Sequence, residues 1–94
     1  MGEEMTNEEF CETVNREKRR RKGIVMVTLY EHPKDFPESY VARVHFVEKG
    51  RQWASPDIFI VRDTLEAARA AVPSGMVNMG RSPMDDPCIV ETYI

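Results

Sequence analysis

The side chains best suited to chemistry in this 94-residue chain are His32 and Asp35 in EHPKDFPES and Asp85 and Asp86 in RSPMDDP. One imidazole and three carboxylates suit several divalent cations, provided that the two segments meet at one edge of the fold. The competing explanation is conformational. Asp35 and Asp86 stand close to prolines, where a short carboxylate closes a turn on its own backbone, and His32 falls where a strand would end. His32, Asp35, Asp85 and Asp86 are therefore the metal candidates, although nothing in their spacing demands an ion, and no cofactor is expected.

A second arrangement would pair Cys88, as nucleophile, with His45 as its base. A cysteine on an apolar face of a last strand is more often a core residue, and His45, in an alternating segment beside Arg43, suits a half-exposed sheet position. Cys11 and Cys88 lack the CxxC spacing of redox and zinc sites. The chain contains no glycine-rich phosphate loop, no GxSxG and no HExxH. No catalytic residue is assigned, and an enzyme is the weaker functional class.

The third feature is electrostatic. The segment NREKRRRKG places Arg16, Lys18, Arg19, Arg20, Arg21 and Lys22 within seven positions, in a chain whose formal net charge is -3. Such a run could contact the phosphates of nucleic acid, because each contact releases condensed counterions. It contains no aromatic residue to stack on bases, which argues against sequence-specific single-strand recognition. The same run also completes a helix. Thr6 as N-cap, Glu9 three residues on and Met5 against Phe10 make a capping box and hydrophobic staple, and Gly23 stands where the helix would stop. Acids in the first turns and bases in the last complement the helix dipole. Glu12 with Arg16 and Glu17 with Arg21 are spaced as i,i+4 pairs.

Composition narrows the classes. Hydrophobic residues at 41% and charged residues at 31% are those of a globular domain, and the length allows one modest core. No apolar run approaches the roughly 20 residues of a membrane span. Two cysteines are too few for a stapled extracellular scaffold, so a reducing, cytoplasmic setting is expected. MGEEMTNEEF lacks the basic and apolar regions of a signal peptide. MGEEMT does satisfy the bare acylation pattern, but Glu3 and Glu4 would be repelled by an anionic leaflet.

The elements that must position these residues follow from periodicity. A helix is predicted over residues 7–22, with Phe10, Cys11 and Val14 as its only apolar stripe. Its second half should project into solvent or meet a partner, and fray, and the segment should add little to the core. GIVMVTLY reads as a strand buried on both faces or lying between neighbours. YVARVHFV alternates, with Tyr40, Ala42, Val44 and Phe46 facing a core and Val41, Arg43, His45 and Val47 facing away. Residues 48–52 make a hairpin loop, followed by an arm through Trp53 or over residues 57–61, in which Pro56 marks an edge or an irregularity. A second helix is expected over residues 64–72, with Asp63 and Glu66 as its capping box and an alanine-rich face containing Leu65, Ala68 and Val72. MVNMG is a candidate short strand, and CIVETYI a last strand with Cys88, Val90, Thr92 and Ile94 on one face. The sum is a single small two-layer α+β domain over residues 23–94. Its four to five mostly antiparallel strands carry one helix across one face, and residues 1–22 form a preceding helix.

At HPKDFPESYVAR and DDPCIVE the chain resembles a group of short bacterial proteins, some associated with phage or mobile elements. They share an "HP.D(F/Y)P" loop and a terminal "DDP.IVE" strand. The resemblance covers residues 24–94 and implies no activity, cofactor or site residue.

The expected function is a small, non-catalytic interaction or accessory domain that completes its burial by homodimerisation or with a protein partner. Met76, Met79 and Met84 would serve either as core filler or as an adaptable contact surface. The alternatives are a nucleic-acid accessory protein using residues 16–22 and a metal-assisted enzyme at the two acidic loops. No membrane partner is expected.

Overall fold

The computed structural model describes residues 5–82 and 86–94. Its elements follow in the order α1 (Asn7–Arg20), β1 (Ile24–Glu31), β2 (Tyr40–Glu48), β3 (Arg51–Arg62), α2 (Leu65–Ala70) and β4 (Ile89–Tyr93). The β-branched run of β1 and the alternation of β2 make the two central strands of one sheet ordered β3-β2-β1-β4, every neighbour antiparallel. The result is a small α+β domain with both helices on one face of a four-stranded sheet.

Register explains which side chains form the core. Val25 lies opposite Phe46, Val27 opposite Val44 and Leu29 opposite Ala42, so these six share a face, joined by Ile60 from β3. Ala68 of α2 and the adjoining Ala71 pack into the same cluster, their small side chains letting the helix approach the strands closely. The expected apolar face of β2 is thus the observed one. β1 is less symmetric than its composition suggests: its second face carries exposed Ile24 and half-buried Met26 and Tyr30, with Thr28 buried between them.

The main correction concerns α1. Phe10 and Val14 are fully buried in the core cluster, and even Glu17 is only 6% exposed. The helix is a core element, docked along its length, where a largely solvated segment was expected. Two apolar side chains suffice because both are inserted completely, and burying a Phe or Val of this kind contributes about 1.5–3 kcal/mol. The capping box forms as read: the Thr6 hydroxyl accepts from the Glu9 N–H at 3.0 Å, and the Glu9 carboxylate accepts from the Thr6 N–H at 2.9 Å.

The C-terminal end differs. The helix stops at Arg20 with Arg21 in an extended conformation, so Gly23 is not a left-handed cap. Glycine is needed there because a Cβ would collide with the carbonyl group of Val47, which fixes the end of α1 against the end of β2. The loop expected over residues 48–52 is a two-residue turn. Lys49 (φ 53) and Gly50 (φ 78) take the paired positive dihedrals of a tight hairpin.

Three irregularities account for the remaining differences. β3 includes both proposed arms, joined by a bulge in which one residue of β2 faces four of β3 across Ser55 to Ile58. The buried Ser55 hydroxyl accepts from the N–H groups of Asp57 (3.2 Å) and Ile58 (3.0 Å), so Pro56 sits where the ladder is already interrupted. A bulge between Leu29 and Tyr30 breaks the alternation of β4: Val90 and Tyr93 pack on the core, whereas Thr92 pairs with Thr28 on the other side. The N-cap of α2 is Thr64, not Asp63; its hydroxyl accepts from the Ala67 N–H at 3.1 Å, and the helix spans six residues. MVNMG is reduced to a bridge between Asn78 and Tyr93, flanked by backbone bonds from Val77 to Ile94 and from Met79 to Thr92.

Phe10→Ala should therefore lower unfolding stability by about 3–5 kcal/mol, as for a large core side chain. Chemical denaturation of the two proteins measures the difference, and a change under 1 kcal/mol is expected only of a side chain on a dispensable helix.

Candidate functional site

Three regions bring chemistry-bearing side chains together. The first is the molecular end where α1 meets the β2–β3 turn. Glu17, one turn before the helix end, is pulled against the domain by its position on the buried stripe. Its carboxylate is met by Arg21 Nε at 2.6 Å and by Arg20 at 3.5 Å. Arg21 also stacks over Phe46, 3.9 Å from the ring centroid, and reaches Glu48 at 3.8 Å. One of the six basic side chains is thus an anchor, tying the run to the sheet through a cation–π contact. Arg16, Lys18, Arg19, Arg20 and Lys22 remain exposed.

The structure adds two cations to this end that the sequence reading missed. Arg20, Arg21 and Lys22 line a shallow depression of ≈ 480 Å³ together with Gly23, Glu48 and Lys49. Lys49, Arg51 and Trp53 line the next one with Glu48. The tight turn explains the juxtaposition, since Gly23 brings the chain back beside the strand end that the turn closes. The sequence signal was present in GIVMVTLY and YVARVHFV, because antiparallel pairing of those strands puts residue 23 beside residue 48.

The second region is the helix-free face of the sheet. The Tyr30 hydroxyl lies 2.7 Å from His45 Nε2, the rings nearly parallel. Thr28, in the register row between them, is 2% exposed. Arg43 donates to the Ser55 carbonyl at 2.7 Å and to the Asp35 carboxylate at 3.2 Å, and stacks on Phe59 at 4.4 Å. Phe36 packs on the same ring, so the β1–β2 loop folds over this half of the face. The other half is apolar. Ile24, opposite Val47, and Val77, Met79 and Ile94, placed by their pairing with β4, point to the same side. These four are the exposed large hydrophobics of the described residues. Met76 packs against the core instead, and Met84 lies outside the described residues.

The third region contains the metal candidates. The described flanks of the two loops meet: the Glu31 N–H donates to the Cys88 carbonyl at 2.7 Å, and the Cys88 thiol approaches the His32 carbonyl at 3.8 Å. Their side chains are committed to turn geometry, however. His32, in the left-handed region at φ 51, bonds the Pro37 carbonyl through Nδ1. Asp35 is turned towards Arg43, and Asp86 accepts from the Cys88 N–H at 2.9 Å. Asp85 lies outside the described residues, among which no three His, Cys, Asp or Glu side chains are grouped to hold a metal ion.

Cys88 is half-buried at the entry to β4 and does not join the core cluster, contrary to the reading of it as a core side chain. Burial, then the neighbouring Asp86 carboxylate, pushes its thiol above the ordinary value. A thiol so held carries little thiolate at neutral pH and is a weak nucleophile.

One polar cluster had no forewarning. Glu91, 6% exposed, receives both Arg69 Nε (2.9 Å) and Nη2 (3.1 Å), and Tyr93 donates to it at 2.6 Å. The Arg69 hydrogen bond holds the Glu91 carboxyl below the usual range, against the opposing effect of burial. Burial and Glu91 in turn push the Tyr93 phenol up to about 12. The triad joins α2 to β4, with the Glu91 carboxylate engaged by both partners and the Arg69 side chain partly exposed. No helix among the described residues is long and apolar enough to cross a membrane. Comparison with family models, with curated proteins and with solved structures gave no match.

Because the Glu91 carboxyl is held low in the folded state, its stabilising contribution is complete above the ordinary carboxylate range and disappears as pH falls through the folded value. Arg69→Ala should lower stability at neutral pH, because it leaves the little-exposed Glu91 carboxylate without its bidentate partner. Thermal melts from pH 7 to pH 2 should show this deficit shrinking below about pH 4, as Glu91 protonates in both proteins.

Proposed function

We propose that the protein is a small non-catalytic interaction domain that self-associates through the helix-free face of its sheet. The observation that carries this reading is the gathering of Ile24, Val77, Met79 and Ile94, 44–61% exposed, on one corner of that face. Isolated exposed aliphatic side chains are ordinary; a group of them on one side of a small domain marks a contact surface. Half-buried Met26 and Val47 extend it, and methionine adapts readily to the shape of a partner.

A second copy of this chain is the occupant that fits. The adjoining depression, ≈ 280 Å³, is lined by Met26, Thr28, His45, Val47, Met79 and Thr92 among others, with no lysine, arginine or carboxylate among the described residues. A surface with so little charge offers an acidic or basic partner nothing to complement, whereas two copies related by a two-fold axis need only match apolar against apolar. Two sheets packed face to face in this way form a layer about 10 Å thick, of the kind found in β-sandwiches. The two free cysteines suit a reducing, cytoplasmic setting.

Light scattering coupled to size exclusion tests the proposal. The expected mass is twice the 10.9 kDa of the chain at micromolar concentration and above. The pair Ile24→Glu and Met79→Glu should halve that mass while leaving circular dichroism unchanged, since both positions are exposed. A monomer mass at every concentration would remove the reading.

A further inference from the structure

We infer that the end of the molecule where α1 meets the β2–β3 turn binds the phosphate backbone of duplex nucleic acid, without reading its sequence. The site is composite. Arg16, Arg19, Arg20 and Lys22 come from the helix end, Lys49 and Arg51 from the turn, and all six are exposed. Shared depressions join Arg20 and Lys22 to Lys49, and Lys49 to Arg51. Among the described residues the carboxylates of this region are Glu17 and Glu48; Arg21 engages both and Arg20 also reaches Glu17 at 3.5 Å, which leaves Arg16, Arg19, Lys22, Lys49 and Arg51 to dominate the local field.

These cations are carried on fixed elements. Gly23 admits no side chain against Val47, Arg21 is clamped between Glu17 and Phe46, and the two-residue turn has little freedom. A rigid cluster loses less conformational entropy on binding than the flexible basic tail that the sequence suggests. Duplex nucleic acid presents one charge about every 1.7 Å of its axis, so a cluster of this size meets several phosphates at once.

Two alternative polyanions fit less well. An anionic membrane surface is held by helices whose apolar face enters the lipid, but the apolar face of α1, Phe10 and Val14, is spent on the core. Single strands are gripped by stacking on aromatic side chains. The aromatic ring of this region, Trp53, is half-buried, packs on Phe46 with centroids 5.6 Å apart, and lies beneath Arg51. What remains is contact with the backbone alone, which is sequence-tolerant and strongly dependent on salt.

The full-length protein should be titrated, by fluorescence anisotropy, into a short labelled DNA duplex, a duplex of shuffled sequence, the unpaired strand, and vesicles of phosphatidylserine in phosphatidylcholine. The two duplexes should bind alike at low salt, more tightly than the single strand or the vesicles. A plot of log affinity against log salt should fall with a slope of about -3 to -5. Lys49→Glu with Arg51→Glu should weaken binding at least tenfold and flatten that slope by about 2, with melting temperature unchanged. Lys34→Glu, on an exposed loop outside the cluster, should leave both unaltered. Failure to bind duplex at low salt, unchanged binding by the hairpin variant, or preference for vesicles or single strands would each overturn the assignment. Light scattering of the hairpin variant separates this result from that of the self-association test: Lys49→Glu with Arg51→Glu should leave the oligomeric mass unchanged while duplex binding falls.

Discussion

The structure depends on one constraint: two helices must share one face of a four-stranded sheet, and the first does so through only two apolar side chains. Phe10 and Val14 fill the space that α2, six residues long and faced with alanine, leaves uncovered. Packing both helices on one side has two consequences. It leaves the opposite face without a helix, and it brings the charged end of α1 down beside the hairpin. The apolar corner and the basic end are thus products of the same packing.

The charge run shows how one sequence feature serves two purposes. Its acids-then-bases order complements the helix dipole, as the sequence indicates, yet the helix end is not simply solvated. Glu17 is buried on the same stripe as Phe10 and Val14, spaced at i+7 and i+3, and Arg21 follows at i+4 to neutralise it and cover Phe46. A stripe of Phe, Val, Glu and Arg does not register as amphipathic when only hydrophobicity is counted. Its periodicity becomes visible once the paired Glu–Arg is treated as a unit able to lie against a core.

The fold class, the strand faces of β2, the capping box at Thr6 and the interruption at Pro56 were all legible, because each rests on local rules of period, capping or proline chemistry. What was not legible depended on register. The bulge between Leu29 and Tyr30 moves Val90 onto the core side, and nothing within CIVETYI marks it. The Arg69–Glu91–Tyr93 triad joins residues 22 positions apart across that same strand, and no motif precedes it. The acidic loops illustrate the opposite case. Their flanks meet at Glu31, His32 and Cys88, but proximity of backbones did not make a site among the described residues, since Asp35 is turned to Arg43 and Asp86 to its own turn.

The central claim is that α1 belongs to the cooperative core. Hydrogen exchange of the backbone amides around Phe10 to Glu17 tests it most directly, because protection there reports the free energy of opening. If the helix is integral, these amides exchange as slowly as those of β1 and β2 and through the same global unfolding. Exchange many orders of magnitude faster than the central strands, as from a helix that opens on its own, would contradict the account.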